Sequence, residues 1–494
     1  MMTDQRFESC ICRGMFSAAR PLSWAIASAL LFSLAACATQ PPPSSEEIRQ
    51  QAGTLASLNL QEPWKAAAYS TDSIGDDWLA SFNDPQLDAL VTEALIKNPD
   101  LAVAATVVEQ AGQYVEIAKA ALRPAIGLFG SGGVKAGGGD PLQAISLGVS
   151  WEPDLWGRMR YGRNAAQATY ASVTADYEFS RQSLAATVAR AWFTASETSL
   201  QLQITRDMVT AQQRLLELAE TRWRVGPGNE QEVAMARATL GTFNDASRQV
   251  ELAYSQSVRA LELLLGRYPG AELETRQNLP AMPAPIPAGL PLQMLERRPD
   301  MVAAEQRVAA AFNRVGEARA ARLPSIVLNA NVAAFSSNIL QLAEDFNNPT
   351  GGAGARLLAP IYQGGALKTQ VEIRTLEQKE AVADYARMAL RALGDVENGL
   401  AASENLAERQ ALLTQAVADN ERALVLTEKS YRVGKSDLRA VQQQLITLQS
   451  SRQALLRVES ERLSQRTTLH LALGGSFEEV PATQGEANDS ITGQ

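Results

Sequence analysis

The sequence contains 494 residues, of which 46% are hydrophobic and 20% are charged, and its formal net charge is −9 at pH 7. This acidic balance, without a run of basic residues, argues against a nucleic acid as the binding partner. Beyond the N-terminal region no window offers about 18 continuous apolar residues, so the sequence predicts no transmembrane helix there.

The N-terminal region has the pattern of an export signal that is removed. Arg13 and Arg20 precede an apolar stretch over residues 25–36, which is too short to cross a bilayer as a helix and fits a signal-peptide core. The stretch leads directly into Cys37, and its last residues, LAA, complete a pattern that looks like a bacterial lipobox. We therefore predict a signal peptide over 1–36 and a covalent lipid, diacylglycerol plus an N-acyl chain, on the cysteine. The alternative is an ordinary signal peptide that precedes a cysteine by chance.

The mature chain is expected to carry no free thiol, since Cys10 and Cys12 lie within the predicted signal peptide. A chain without free thiols suits an oxidising periplasm. Residues 37–80 begin with a polar, proline-containing segment, which predicts an extended tether between the lipid and the folded part.

The rest of the chain is a tandem repeat, because the same residues recur at a steady distance in its two halves. The paired positions are Asp100 with Asp300 and Pro124 with Pro324, then Val225 with Val433 and Gly266 with Gly474.

Each half contains a proline-free run with the pattern of a very long helix. In the second run, residues 364–433, small and apolar residues recur at alternating steps of three and four, which is typical of a coiled-coil seam. A single helix of this length would extend about 105 Å at about 1.5 Å per residue. The first run, residues 157–225, has the same kind of stripe, and a shorter return helix follows each run. The alanines, glycine and serines of these stripes permit close packing between helices.

Before each long helix the period changes to the alternation that predicts β-strands. Each strand has roughly the length that crosses an outer membrane when tilted. The alternative is an ordinary soluble sheet. The resulting organisation places the elements as follows: first repeat 81–270 with strands 125–134 and 143–152, long helix 157–225 and return helix 230–266; proline-rich linker 271–291; second repeat 292–474 with strands 325–335 and 353–361, long helix 364–433 and return helix 436–473; disordered tail 475–494.

Four membrane-length strands per chain cannot close a barrel, because known bacterial barrels start at eight strands and an open edge leaves backbone groups unpaired in lipid. Two chains would supply 8 strands and three would supply 12. The glycine- and alanine-rich strands lack the bulk that fills the interior of an eight-stranded barrel, which favours a trimer. We therefore predict an α+β membrane protein with a trimeric 12-stranded barrel continued by a helical coiled-coil barrel.

Several motifs together resemble the TolC family of outer-membrane efflux channels, in its lipoprotein branch. The similarity covers nearly the whole mature chain and is carried by LAAC up to Cys37, WLASFNDPQLDAL over 78–90, NPDL over 98–101, WEPDLWG over 151–157 and the two Arg-Val-Gly turns. The resemblance implies a homotrimer with a barrel, a periplasmic tunnel and a mixed equatorial domain. It also implies export together with a periplasmic adaptor, or membrane fusion protein, and an inner-membrane pump of the RND type.

The resemblance also implies roles for residues at the two helical turns. The adaptor is expected to contact the turns, which are Arg224, Val225 and Gly226 in the first repeat and Arg432, Val433 and Gly434 in the second. The structural alternative is that the glycines end helices and the arginines complement helix C-termini. The periplasmic gate of the family implies Asp437 and Arg439 as gate candidates, with a helix cap and a surface charge as the alternative.

The sequence offers no pattern of an enzyme. Its single histidine, His470, lies between two leucines in the last helix and has no cysteine or HExxH context, so it is interpreted as a packed or surface residue. No phosphate-binding glycine loop occurs, and neither a metal nor another cofactor is expected. The leading hypothesis is a passive outer-membrane exit duct of a tripartite efflux pump for drugs or other small molecules. The alternatives are a channel for type I protein secretion and a structural periplasmic lipoprotein without a pore.

Overall fold

A computed structural model describes residues 39–66, 75–131, 143–336 and 350–478. The helices within these ranges are α1 (Ser45–Gln51), α2 (Pro85–Lys97), α3 (Pro99–Ala120), α4 (Arg158–Val225), α5 (Glu230–Leu264), α6 (Pro291–Arg297), α7 (Pro299–Ala320), α8 (Ala366–Arg432) and α9 (Leu438–Leu473). The strands are β1 (Ala125–Ser131), β2 (Gln143–Trp151), β3 (Ser325–Ser336) and β4 (Thr350–Leu358). None of the described helices combines the length and hydropathy that crossing a bilayer requires.

The element order recurs, since two helices, two strands, a long helix and a return helix occur twice along the chain. The chain divides into two compact units. The described parts of the first unit are residues 39–48, 111–131, 143–170, 306–336 and 350–382. Those of the second unit are residues 49–66, 75–110, 171–305 and 383–478.

The first unit contains one antiparallel sheet with the strand order β1-β2-β3-β4. Its register pairs Leu128 with Leu147, and Leu147 in turn with Val332. Because side chains alternate along a strand, these three residues lie on the same face of the sheet. Of the described strands, β1 and β4 form the two edges.

An apolar core in the described part of the second unit includes Trp78, Phe82, Trp192 and Phe193, of which Trp192 and Phe193 are fully buried. Asp84 fixes the start of α2 because its carboxylate accepts the amide N–H groups of the first turn, and it also accepts the Trp192 indole N–H at 2.9 Å. The helix ends at Lys97, and Asn98 is its C-cap.

The prediction of an extended tether at the start of residues 37–80 is wrong for α1, which lies in that part of the segment. Ser44 and Glu47 form a reciprocal pair of cap contacts, with Ser44 N–H donating to the Glu47 carboxylate at 2.8 Å and Glu47 N–H to the Ser44 hydroxyl at 3.4 Å. Ile48 is completely buried, so this short helix is packed against the protein. The end of the same segment also belongs to the folded core, since Trp78 is only 2% exposed.

The predicted strand 353–361 is displaced by three residues from the observed β4. Pro360 has no N–H to donate to a ladder, so the strand cannot continue through it. At its other end the strand starts earlier, where Thr350 pairs with Ala333 and donates its hydroxyl to that residue's carbonyl at 3.2 Å. The predicted strands 143–152 and 325–335 each differ from β2 and β3 by one residue. The last part of the predicted strand 125–134 lies outside the described residues.

The long helices start slightly later than predicted, because the glycines at their N-termini have positive φ. Gly157 has a φ of +76°, and Gly364 and Gly365 have φ values of +59° and +86°, so none of them is helical. The return helices are also shorter than predicted, because Asp437 is the N-cap of α9 and Gly266, with a φ of +67°, lies beyond the end of α5.

The proline-rich segment between the repeats contains neither helix nor strand from residue 267 to 290. It is nevertheless anchored, because the buried Glu262 carboxylate accepts three successive amide N–H groups, from Ala271, Glu272 and Leu273, at 2.7 to 3.1 Å. The helix α6 that follows was not predicted. The predicted disordered tail 475–494 is wrong at its start, because Phe477 is only 6% exposed and belongs to the apolar core that contains Trp78. The part after residue 478 lies outside the described residues.

Candidate functional site

The turn between α4 and α5 ends the first long helix at a glycine. Gly226 has a φ of +104°, and its N–H donates to the carbonyl oxygens of Arg222 and Trp223 at 3.1 and 3.2 Å. The N–H of Gly228 donates to the same Arg222 carbonyl at 3.1 Å. These bonds satisfy carbonyl groups that the end of the helix would otherwise leave without partners.

Gly228 fills a position in this turn where no side chain fits. A Cβ atom at this residue would lie 2.7 Å from the Trp223 amide nitrogen and 2.9 Å from the Arg222 carbonyl carbon. Both neighbours are backbone atoms, so they cannot move aside as the end of a flexible side chain could. Asn229 then accepts the Glu232 N–H at 2.8 Å and starts α5.

The turn between α8 and α9 is built on one glycine. Gly434 has a φ of +75° and donates its N–H to the Tyr431 carbonyl at 3.0 Å. The N–H of the next residue, Lys435, donates to the Ser430 carbonyl at 2.8 Å, which completes the cap. Open space surrounds the position that a Cβ atom of Gly434 would take, so only its backbone conformation favours glycine here.

Both predicted Arg-Val-Gly triads lie on the protein surface. The valines are unusually exposed for apolar residues, at 74% for Val225 and 69% for Val433. Arg224 and Arg432 beside them are exposed as well. Each turn therefore presents an apolar side chain next to a guanidinium group, which is a combination that suits contact with another protein.

A side chain that the sequence analysis missed joins the two turns. Arg222 Nη1 donates to the Tyr431 carbonyl at 3.0 Å, and the guanidinium carbon lies 4.6 Å from the centre of the Tyr431 ring. The sequence did contain a signal for this contact. Arg222 continues the stripe of α4, because it follows Leu216 and Ala219 at steps of three residues. A charged residue that continues an apolar stripe faces the packed side of its helix.

Tyr431 is buried beneath the turns, with 1% of its surface exposed. Burial raises the pKa of its hydroxyl, and the nearby Glu232 carboxylate raises this pKa further. The core cluster around Tyr431 consists of Met208, Leu215, Ala219, Val233, Ala236, Phe243, Leu438, Val441 and Leu445. The four helix ends are thus held by one apolar cluster.

The two gate candidates lie just after the second turn. Asp437 is exposed, and its carboxylate accepts the Ala440 N–H at 2.9 Å, which makes it the N-cap of α9. Arg439 is also exposed. In the described part of the chain no salt bridge joins these two residues.

The sheet of the first unit has two chemically different faces. One face consists of apolar residues, namely Ile126, Leu128, Ile145, Leu147, Val149, Trp151, Ile326, Leu328, Ala330, Val332, Ala353, Ala355 and Leu357. Many of these are exposed, including Ile126 and Leu128 at 72% each. The opposite face presents Ser146, Ser150, Asn329 and Asn331 among glycines.

Phe129 is an exception on the polar face. Its ring lies over two glycines of that face, since a Cβ atom would be 3.1 Å from the ring at Gly127 and 3.6 Å from it at Gly148. The glycines leave room for the aromatic ring to lie flat across neighbouring strands, an arrangement that stabilises glycine-containing sheets.

His470 is a buried core residue. It is 5% exposed, and its ring stacks on Trp78 with the centroids 6.0 Å apart. Burial, assisted by the Arg466 charge, lowers the histidine pKa to about 3. Its ring nitrogens have no hydrogen-bond partner among the described residues, and no group of metal-ligating side chains occurs within those residues.

The profile of the outer membrane efflux protein family matches residues 90–267 and 290–475, which together make up most of the chain. The chain belongs to the outer membrane efflux protein family.

Two relatives illustrate this membership, and one solved structure shares the fold. The efflux protein is 31% identical over 433 residues to the probable efflux pump outer membrane protein TtgC of Pseudomonas putida, covering 84% of this chain and 87% of TtgC. It is 29% identical to the pyoverdine export outer membrane protein OpmQ of the same species, covering 91% and 96%. The outer-membrane channel OprN has the same fold, with a TM-score of 0.76 at 23% identity over 85% of this chain and 98% of that one.

The family match includes the features described above in this efflux protein. Both turns and all four strands lie within the matched ranges, and the linker between the repeats separates the two matches. Cys37, the predicted lipidation site, lies outside both the matched ranges and the described residues.

Proposed function

We propose that this outer membrane efflux protein is a homotrimeric exit duct through which a tripartite pump passes small molecules. The observation that carries the proposal is the four-stranded sheet, which has an exposed apolar face, a polar face and two edges within the described chain. Unpaired edges are costly in lipid, so the strands of several chains must close a barrel together.

The two faces of the sheet indicate how such a barrel would be oriented. Transmembrane strands alternate between apolar residues toward lipid and polar residues toward the lumen. The face with Ile126 and Leu147 has the first composition, and the face with Asn329 and Asn331 has the second. Three chains would supply 12 strands, enough for a barrel that holds a water channel, whereas an eight-stranded barrel fills its interior with side chains.

The direct test is the mass of the detergent-solubilised protein followed by its single-channel conductance in a planar bilayer. We expect a trimer that passes current. A monomer or dimer without conductance would refute the barrel and favour a structural lipoprotein without a pore. If the trimer conducts only when an adaptor is added, the pore of the isolated trimer is closed at its periplasmic end.

The two exposed turns are the proposed contacts for a periplasmic adaptor. The combined substitution Val225→Asp and Val433→Asp should abolish docking, because it places charges in the apolar part of the contact. Val103→Asp is the matched control, since Val103 is 63% exposed on α3. Site-specific cross-linking to the adaptor in cells, together with tolerance to pump substrates, measures the effect. If the control and the turn variant lose cross-linking to the adaptor equally, the turns are not part of the adaptor interface.

Asp437 and Arg439 are proposed to contribute to the periplasmic gate in addition to their local roles. Replacing Asp437 with alanine should raise the resting conductance of the purified channel. Asn229→Ala, which removes the corresponding cap in the first turn, serves as the control for a merely loosened turn. An unchanged current in the Asp437 variant would exclude it from the gate.

We also propose a lipid anchor on Cys37 and energy supply by a partner pump, with no catalysis by the chain itself. Mass spectrometry of the mature N-terminus should show a tri-acylated cysteine, and Cys37→Ala should remove the acyl mass. The name of OpmQ assigns it pyoverdine export. For this chain, deletion of the gene should lower tolerance to small molecules, whereas loss of a secreted protein with unchanged tolerance would favour protein secretion instead.

A further inference from the structure

A cavity of about 480 Å³ lies between the proline-rich linker and two long helices of the second unit. Its wall from the linker is apolar and includes Met282, Pro283 and Ile286. Helix α9 contributes Arg462, Arg466 and Leu469 to the opposite side. The site therefore combines an apolar wall with two guanidinium groups, and the efflux proposal makes no use of it.

Arg466 is the unusual member of this lining. It is only 7% exposed, and its Nη1 donates to the Ala284 carbonyl at 2.5 Å. Its Nε is buried and has no hydrogen-bond partner among the described residues. A buried guanidinium with an unused donor costs folding free energy unless an anion offsets it.

Within the described ranges no carboxylate lies within salt-bridge distance of Arg466, and the same holds for Arg462, which donates to the Gln410 side chain. Glu404 is the only carboxylate that lines the cavity in the described chain, and it is exposed. The two arginines therefore outnumber the acidic groups. Burial alone lowers the pKa of Arg466 to about 10, a value at which the side chain stays charged at neutral pH.

We propose that this cavity binds the carboxylate of a small amphipathic organic acid. The carboxylate would lie against the guanidinium groups of Arg466 and Arg462, since a planar guanidinium matches a carboxylate in shape and charge. The apolar body of the ligand would lie along Met282, Pro283 and Ile286. Such a ligand would hold the linker against α8 and α9.

The test uses the full-length detergent-solubilised protein with hexanoate as the probe and hexanamide as its neutral counterpart. We expect saturable binding of hexanoate in titration calorimetry and no binding of hexanamide. Arg466→Met keeps an unbranched apolar stem but removes the charged guanidinium group, and it should weaken hexanoate binding by roughly thirtyfold or more. Arg452→Gln is the matched control, because Arg452 lies on the same helix in an exposed ion pair with Glu421.

Thermal unfolding separates this proposal from its main alternative. If Arg466 is unpaired in the native protein, Arg466→Met should raise the Tm in the absence of hexanoate, because it removes an uncompensated buried charge. A lowered Tm, together with no hexanoate binding by the wild type, would mean that a carboxylate of the assembled protein already pairs with Arg466, and it would overturn the proposal. Equal hexanoate binding by wild type and Arg466→Met would overturn it as well. These outcomes do not depend on conductance, so they stand apart from the test of the duct.

Discussion

The two turns carry the same residue pattern, yet they differ in what lies beneath them. Trp223 and Tyr431 occupy matching positions, each two residues before the exposed valine. Trp223 is 50% exposed, whereas Tyr431 is 1% exposed. Tyr431 belongs to the apolar cluster beneath the turns, and Arg222 of the first turn also contacts its ring and its carbonyl group. A repeated sequence therefore gives a repeated backbone, while the neighbouring chain segments decide which copy becomes core.

The glycines of the two turns differ in the same way. The first turn needs Gly228 because backbone atoms occupy the place of a side chain, whereas the second turn needs Gly434 for its backbone conformation alone. The first turn is thus restricted by packing and the second by dihedral angles. Three pairs of variants and one single variant, ordered from the largest expected effect to the smallest, test this distinction.

The largest difference is expected between Tyr431→Ala and Trp223→Ala. Removing a fully buried aromatic ring should lower the free energy of unfolding by about 3–5 kcal/mol, whereas removing the half-exposed indole should cost less than about 1 kcal/mol. Guanidinium titration of the solubilised protein measures both. Equal losses would show that Trp223 is also buried in the assembled protein, and the contrast between the turns would then disappear.

The glycine variants should differ by a smaller amount. Gly228→Ala should cost about 2–3 kcal/mol because the Trp223 and Arg222 backbone must move. Gly434→Ala should cost about 1 kcal/mol, which is the strain of an alanine at positive φ. Amide hydrogen exchange in residues 219–232 and 427–440 reports the local opening of each turn. If Gly434→Ala loses more stability than Gly228→Ala, then packing does not restrict the first turn more strongly than backbone conformation restricts the second.

The caps should be equivalent, which makes them an internal reference. Asn229→Ala and Asp437→Ala each remove one side-chain acceptor from the start of a return helix. Each substitution should cost about 1 kcal/mol by the same unfolding measurement. A clearly larger loss for Asp437→Ala would mean that its carboxylate has a second partner, as the gate proposal requires.

The smallest effect is a loss of stability in mild base. The pKa of Tyr431 is raised in the folded chain, first by burial and then by Glu232, so the unfolded chain releases this proton at lower pH than the folded one. The contribution of the protonated Tyr431 hydroxyl to the free energy of unfolding is therefore complete below about pH 10. It decreases as the pH rises through that value. At pH 10 the loss is at most about 0.4 kcal/mol, whatever the folded pKa.

Tyr431→Phe isolates this contribution because it removes the hydroxyl and keeps the ring. The difference in Tm between wild type and variant should be constant from pH 7 to 9 and shrink toward pH 10 and above. A difference that stays constant throughout would mean that Tyr431 titrates normally and that its hydroxyl is in contact with solvent.

The sequence by itself determined the local structure and the family, because both depend on short-range patterns. Period changes located the strands and long helices, and Gly226 and Gly434 marked helix ends through rules that act within a few residues. The errors were also local in kind: Pro360 displaced a predicted strand, and a pair of cap contacts formed α1 within an expected tether.

Only the tertiary structure decided which side chains are paired, covered or left without a partner. Arg222 meets Tyr431 across 209 residues of sequence, and Ala284 meets Arg466 across 182. Such contacts depend on where distant segments cross, which no local periodicity encodes. The same reason separates the two turns, since the burial of Tyr431 and the exposure of Trp223 follow from their neighbours in space and not from their shared motif.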